Sequence, residues 1–368
     1  MKLIVKVGTS SLTDDHGRIA VGTVEMLAAQ LAGLRAGGHQ VIVVSSGAVS
    51  AGLPPLAGML GLGGRRPTDL PTLQAVAAVG QPRLMAAWDA ALAAHRLVPG
   101  QVLLAPLDFV HRQQYLHARQ TLERLLELGV MPIVNENDAV ADDELRFGDN
   151  DRLAALVAHL VRAELLILLT DTAGLLTADP RRDAAASLIE EVREVDAALE
   201  RVATGGGTER GSGGMASKLA AAKIAAWSGI RTVIAAAGRP GVLADAVADV
   251  AGVGTVVRAR DQWLPARKLW IAFAVAPSGT VRVDDGARAA LLERGRSLLP
   301  AGITGVAGSF GAGDAVEIAA ADGTVFAKGL TRHGADVVRS WAGKRTADLP
   351  ADAEPEVVHR DDLVVLPS

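Results

Sequence analysis

A three-layer α/β sandwich around a mainly parallel sheet, followed by a small mixed β-rich domain, is the fold class that this 368-residue chain predicts. Three observations carry that expectation. From residue 1 to about 258, short apolar β-branched runs alternate with longer Ala/Leu-rich stretches of helical period, the pattern of parallel strands joined by helical crossovers. The short runs are too continuously apolar to leave one face in water, so helices must cover both faces of the sheet. Past Arg260 the texture breaks into a short helical stretch and glycine-punctuated β segments. A chain this long exceeds what one core organises, so the break reads as a second domain.

Taken in order, the expected strands are Leu3 to Val7, Val41 to Ser45, Gln101 to Ala105, Met131 to Val134, Leu165 to Thr170, Thr232 to Ala236 and Thr255 to Val257. Helices are expected near 22–36, 70–95, 113–128, 150–162 and 215–228. In the tail, Leu269 to Ala274 is expected as a strand, about 286–294 as a helix, and 308–330 as short β segments. The domains are set at 1–260 and 275–368. The segment Gly205 to Gly214, six of whose ten residues are glycine, lies inside the α/β region and precedes a helix, so it is not read as an interdomain linker. In open α/β sheets the ligand sits beyond the C-terminal strand ends, and the residues just after each strand are the first place to look.

Composition narrows the function. With 49% hydrophobic and 21% charged residues the chain is of the folded class, and a net charge of −4 gives no global field for a polyanion or an acidic membrane. Nucleic acid is therefore unexpected except at a local patch. The absence of cysteine excludes disulfides, thiolate catalysis and thiolate metal sites. The opening Met1 to Lys6 carries a second lysine in its apolar stretch and runs straight into Thr9, Ser10 and Ser11, which fits no signal or transit sequence. Every apolar run is cut well short of the roughly 20 residues a spanning helix needs, so a cytoplasmic protein without membrane partners is expected.

Two scarcities make clustering informative. The lysines are Lys2, Lys6, Lys218, Lys223, Lys268, Lys328 and Lys344, and the asparagines are Asn135, Asn137 and Asn150. Lys6 stands near the end of the first apolar run, followed by Gly8; a lysine there is unfavourable unless it meets an anion, although an edge strand with a surface lysine reads the same. Ser45, Ser46, Gly47 and Ala48 form a small-residue turn that can offer amides and a hydroxyl to an anion, or can be an ordinary turn. All three asparagines fall within Asn135 to Asn150, interleaved with acids, including the run Gly148, Asp149, Asn150, Asp151. Asp138 suits a substrate ammonium, while the amides of Asn135 and Asn150 can bond carboxylate or amine. The spacing lacks the calcium-loop pattern.

Thr170 ends a strand and Asp171 follows it, a pair that suits a nucleotide pocket or a simple turn cap. The stretch Ser212, Gly213, Gly214, Met215, Ala216, Ser217, Lys218 puts a glycine-rich loop before a helix with a lysine in its first turn, a phosphate cradle or else a mobile loop. It is not a Walker A loop, and no dinucleotide fingerprint is present.

Together and in register, "VKVGTSSLT", "VVSSGAVSAG", "AAVGQPRLM", "PIVNENDAV", "FGDNDRLAALVA", "LLTDTAGLLTADP" and "GSGGMASKLAAAKIA", with "LPAGI" and "VHRDD" in the tail, resemble the amino-acid kinase family. The likeness is greatest to its bacterial branch that phosphorylates free glutamate. The resemblance implies an eight-stranded, mainly parallel sheet and a C-terminal PUA domain. It implies ATP-dependent phosphorylation of the glutamate γ-carboxylate to L-glutamyl 5-phosphate, the first step of proline biosynthesis, with Mg²⁺ on the nucleotide. Lys6, Lys218 and Asp151 are then the catalytic group. Ser46, Gly47, Asp138, Asn150 and Asn135 bind substrate, and Lys6, Gly8, Thr170, Asp171 and Ser212 to Lys218 bind ATP. A homo-oligomer, proline inhibition and hand-off to glutamyl-phosphate reductase also follow from it. The open alternatives are N-acetylglutamate, aspartate or a nucleoside monophosphate as acceptor, or an RNA-binding role for the tail. The Gly/Pro-rich segment Pro54 to Pro71 fits no motif.

Overall fold

The computed structural model describes all residues except 15, 62–64, 110, 141–149, 179–182, 184, 205–213, 261–263, 274, 351–352 and 367–368. Gly148, Asp149, Ser212 and Gly213, singled out above, lie outside the described residues. The chain divides into two compact units, Met1–Trp263 and Leu264–Ser368.

The strands of the first unit are β1 (Lys2–Val7), β2 (Gln40–Ser45), β3 (Pro99–Leu104), β4 (Met131–Glu136), β5 (Leu165–Thr170), β6 (Glu191–Val192), β7 (Arg231–Ala236) and β8 (Thr255–Val257). Its helices are α1 (Thr9–Leu12), α2 (Val21–Ala36), α3 (Ala48–Leu60), α4 (Leu70–Ala93), α5 (Arg112–Glu127), α6 (Asn150–Leu160), α7 (Ala197–Thr204), α8 (Met215–Trp227) and α9 (Val242–Val247). The strands form one eight-stranded sheet in the order β3-β4-β2-β1-β5-β7-β8-β6. Every neighbouring pair is parallel except β7 with β8. The mainly parallel sheet is therefore present, with all seven expected strands in it.

Strand alternation decides what each helix covers. Leu3, Val5 and Val7 of β1 pack into one core with Leu27 and Leu31 of α2, Leu84, Trp88 and Leu92 of α4, and Val242 and Leu243 of α9. The intervening Ile4 and Lys6 face the opposite layer, where α6 packs on β1 and β5, and α8 on β5 and β7. Period two thus aims Lys6 at the two helices that carry Asp151 and Lys218. β1 lies between β2 and β5, with Lys6 registered on Val44 and Leu168. Because these strands and β4 run in parallel, their C-terminal ends share one edge, where the order of connection reverses.

Part of the Gly/Pro-rich segment Pro54 to Pro71, which fits no motif, is helical. α3 extends to Leu60 through Pro54 and Pro55 and packs against α4. Glycines allow the close crossing: a Cβ at Gly52 would lie 1.9 Å from the Val76 carbonyl oxygen, and one at Gly80 would lie 1.8 Å from that of Ala48. Backbone contact of this kind overrides proline's poor helix propensity.

The second unit holds α10 (Ala266–Phe273), β9 (Gly279–Val283), α11 (Asp285–Arg294), β10 (Ile303–Gly308), β11 (Ala315–Ala319), β12 (Val325–Thr331), α12 (Ala335–Trp341) and β13 (Val358–Val365). Its sheet runs β10-β9-β11-β12-β13 and is antiparallel except between β9 and β11. One expectation fails here. Leu269 to Phe273 is helical, and Ala274 lies outside the described residues. Pro265 accepts the first helical bonds from Lys268 and Leu269, and α10 packs on β12 and β13, which buries Leu269 and Ile271. A five-residue apolar run has no period that separates strand from buried helix, so tertiary packing decided it.

Candidate active site

The site is built on the shared edge of β1, β2, β4 and β5. At its centre stands Asp151, second residue of α6 and fully buried. Lys6 Nζ lies 2.6 Å from its Oδ1, and Lys218 Nζ lies 3.2 Å from its Oδ2. Ser217 Oγ donates to Oδ2 at 2.9 Å. Both lysines are buried, at 3% and 5% exposure. Burial alone would raise the Asp151 carboxyl, but the Lys6 and Lys218 charges and the bonds from Lys6 and Ser217 hold it below the usual carboxylate range. The positive end of α6 favours the same anion.

Two ammonium groups on one carboxylate give the triad a formal charge of +1 at a depth where an isolated charge is costly. The chemistry it suits is an anion between the lysines. Lys218 enters on the first turn of α8, whose N-cap is Gly214, so the free amides of that turn lie beside its ammonium group. Met215 and Ser217 are partly exposed and Ala216 is exposed on that turn.

A second group surrounds the end of β4. Asn135, 1% exposed, donates from Nδ2 to Gln81 Oε1 at 2.8 Å, and its Oδ1 accepts from the Glu136 amide at 2.9 Å. Asn150 Oδ1 accepts from the same amide at 3.3 Å. The two asparagines that sequence reading grouped thus meet at one backbone N–H, joining β4 to the start of α6. Asp138 opens a short 3-10 helix, Asp138–Val140, directly after β4. Burial pushes its carboxyl up to about 6, against the opposing charge of Arg66.

From β2, the Ser46 amide donates to the Val7 carbonyl at 3.1 Å, tying the two strand ends together. Gly47 adopts φ 109° at the N-cap of α3, a left-handed conformation that a side chain would strain. Behind it, Trp88 Nε1 donates to Ser45 Oγ at 3.0 Å. Gly8 follows β1 in an extended conformation at the N-cap of α1. Thr170 is buried at the end of β5, and its hydroxyl donates to Asp171 Oδ1 at 3.1 Å. Asp171 is exposed, and its described bond runs to Thr170 alone, not to the triad.

Gln81 and Trp88 were not singled out from sequence. Gln81 lies within the quoted "AAVGQPRLM" string, and a buried glutamine on a helix gives no signal until the strand end it meets is known.

Residues 1–236 match the amino acid kinase family model, and residues 279–351 match the PUA domain. This chain belongs to the amino acid kinase family. Among curated relatives of this amino acid kinase, a protein named glutamate 5-kinase from Myxococcus xanthus (strain DK1622) is 47% identical over 375 residues, covering 99% of this chain and 96% of its own. Glutamate 5-kinase of Mycobacterium tuberculosis (strain ATCC 25618 / H37Rv) is 46% identical, covering 99% and 94%. That of Pelobacter propionicus (strain DSM 2379 / NBRC 103807 / OttBd1) is 42% identical, covering 99% and 97%. Among solved structures, isopentenyl phosphate kinase of T. acidophilum matches 70% of this chain and 100% of its own at 17% identity, with a TM-score of 0.49. No helix among the described residues is long and apolar enough to cross a membrane.

Proposed function

We propose that this amino acid kinase transfers the γ-phosphoryl group of ATP to the γ-carboxylate of L-glutamate, giving L-glutamyl 5-phosphate and ADP, the opening step of proline biosynthesis. The observation that carries the reading is the buried Lys6–Asp151–Lys218 triad at the strand ends. The acceptor carboxylate is ionised at neutral pH and needs no general base. One of its oxygens forms the new O–P bond as the β,γ-bridging P–O bond breaks. The difficulty is bringing an anion up to a polyanion in line, and two lysines fixed on one carboxylate meet it by neutralising charge where it concentrates.

In this reading Ser46, Gly47, Asn135, Asp138 and Asn150 hold glutamate, with Asp138 facing its ammonium group. Gly8, Thr170, Asp171 and the stretch from Ser212 to Lys218 hold ATP. The donors of the triad are cationic and suit phosphate oxygens, so Mg²⁺ belongs on the nucleotide, where it supplies further charge neutralisation. Residues 1–260 carry catalysis and 275–368 form the PUA domain. The protein works in the cytoplasm as a homo-oligomer and passes its labile acyl phosphate to glutamyl-phosphate reductase.

The acceptor is the finer part of the proposal. An N-acetylated amino acid has no ammonium for Asp138, and a nucleoside monophosphate would call for arginines in the acceptor site. The deciding experiment supplies ATP and Mg²⁺ with glutamate, aspartate, N-acetylglutamate or UMP and traps acyl phosphate with hydroxylamine. Hydroxamate from glutamate alone is the expected outcome; equal turnover of N-acetylglutamate defeats the assignment.

A further inference from the structure

We infer that Gln81 is a positioning residue for the acceptor site, acting through Asn135 by fixing which end of that side-chain amide faces the substrate. The inference rests on the proposal that Asn135 binds glutamate. The polarity of the network follows from a single unambiguous donor. The Glu136 backbone N–H can meet only an acceptor, so the atom of Asn135 at 2.9 Å from it is oxygen. The nitrogen of Asn135 must then face Gln81, and the atom of Gln81 that receives it at 2.8 Å is Oε1. Gln81 Nε2 is turned the other way, where it donates to Gln101 Oε1 at 3.3 Å.

The chain of amides is thus oriented end to end, and it spends one of the two Asn135 Nδ2 hydrogens. The second has no acceptor among the described residues and is available to a substrate oxygen. If Gln81 offered no acceptor, the buried Asn135 amide would lose the partner that holds its nitrogen, and a tilted amide would no longer aim its second hydrogen at an anionic ligand. Gln81 is itself 8% exposed, a depth at which an amide is retained only when it is bonded. Its place on α4 is set by the neighbouring Gly80, whose close approach to Ala48 leaves that helix little freedom to shift.

Two measurements test this, one independent of activity. The chain contains just Asn135, Asn137 and Asn150, so selective ¹⁵N-asparagine labelling yields three side-chain NH₂ pairs, with Asn135→Ala identifying the first. In the native protein the Asn135 pair should exchange slowly with solvent; in Gln81→Met it should exchange faster and shift, while Asn137 and Asn150 hold their positions. An Asn135 pair unmoved by Gln81→Met overturns the inference. Kinetically, Gln81→Met should raise the glutamate KM about tenfold and leave the ATP KM within about twofold, since losing one partner of a buried amide costs that order of affinity. Added to Asn135→Ala, Gln81→Met should raise the glutamate KM no further, because it acts through an amide already gone. Additive effects, or equal rises in both KM values, assign Gln81 to packing and defeat the proposal. A native enzyme that makes no glutamyl hydroxamate removes the glutamate reading instead, and the NMR result still judges the amide chain.

Discussion

Asp151 Oδ1 stands 2.6 Å from Lys6 Nζ with side-chain exposures of 0% and 4%, so this ion pair is sealed from water before any substrate arrives. At that depth its worth lies less in net stability than in geometry, because desolvation offsets most of the attraction. Lys218 is held by the other oxygen of the same carboxylate, and α6 therefore fixes the spacing of two cations carried by β1 and α8.

Removing the shared partner should be the most damaging single change. Asp151→Ala leaves two lysines without the group that holds them and is expected to cost about 3–5 kcal/mol of stability. Urea denaturation beside the native protein measures it. Asp151→Asn, which keeps the shape and can still accept from Ser217, should fold better yet lower kcat at least about 100-fold, as expected for loss of fixed charge around the phosphoryl group. An asparagine variant with near-native kcat would show that the lysines position themselves.

The lysines should act on kcat more than on binding. Phosphoryl charge is neutralised chiefly in the transition state, so Lys6→Ala and Lys218→Ala should each depress kcat strongly with smaller changes in the KM of either substrate. Lys218→Arg should not restore full activity, since a planar guanidinium does not fit the space of a compact ammonium. Steady-state kinetics with ATP and glutamate varied separately decides the matter. A raised KM with unchanged kcat would place that lysine in ground-state binding only.

Asp138 gives the site a pH dependence with a definite sign. Burial pushes its carboxyl up to about 6, so the free enzyme loses the negative charge that attracts an ammonium as the pH falls through that value. The glutamate kcat/KM should fall below pH 6 with a slope approaching about one log unit per pH unit, because that ratio reports the free enzyme. Bound ammonium favours the ionised carboxylate, so the matching limb in kcat should lie lower. In Asp138→Asn the kcat/KM limb should vanish, with the glutamate KM raised at every pH and the ATP KM little changed. A limb that persists in this variant would belong to another group.

The crossing of α3 and α4 offers a test of the scaffold. A Cβ at Gly80 would fall 1.8 Å from the Ala48 carbonyl oxygen and 2.5 Å from the Gly52 nitrogen, contacts that no rotamer can relieve. Gly80→Ala must therefore part the two helices that support Gly47 and Gln81, at a cost of about 1–3 kcal/mol or more, with glutamate affinity falling alongside stability. Gly58, with open space around it on α3, is the control: Gly58→Ala should be neutral or mildly stabilising by thermal melting.

How much of this was legible beforehand depends on whether the signal was local. Every expected strand of the sheet was, because runs such as Leu165 to Leu169 are apolar throughout and buried on both faces. The clustering of Asn135 and Asn150 was visible through their rarity, and the structure joins them at the Glu136 amide. What escaped was decided by tertiary contact. β6 is two residues long and carries no pattern. α3 contains two prolines and is held by a glycine contact with a helix that sequence does not place beside it. Gln81 gains its meaning only from a strand end 54 positions away.

The error at Leu269 to Phe273 alters how the tail should be tested. Expected as a strand ahead of residue 275, where the second domain is set to begin, that segment falls outside the tail domain, and a cut near Ala274 would be the natural choice. As α10 it belongs to the unit Leu264–Ser368, buries Leu269 and Ile271 and, with Arg267 paired to Asp362, packs on β12 and β13. A chain ending at residue 274 would keep this helix and lose the sheet it covers, leaving an apolar face in water that invites association. A chain ending at residue 260 retains every residue assigned to chemistry, and the first unit has its own core. It is expected to unfold cooperatively and to phosphorylate glutamate with kcat within about tenfold of the full chain, while the longer truncation aggregates more readily. Light scattering, thermal melts and the hydroxamate assay on both truncations check this. A folded 1–260 chain without kinase activity would mean that the second unit completes the site.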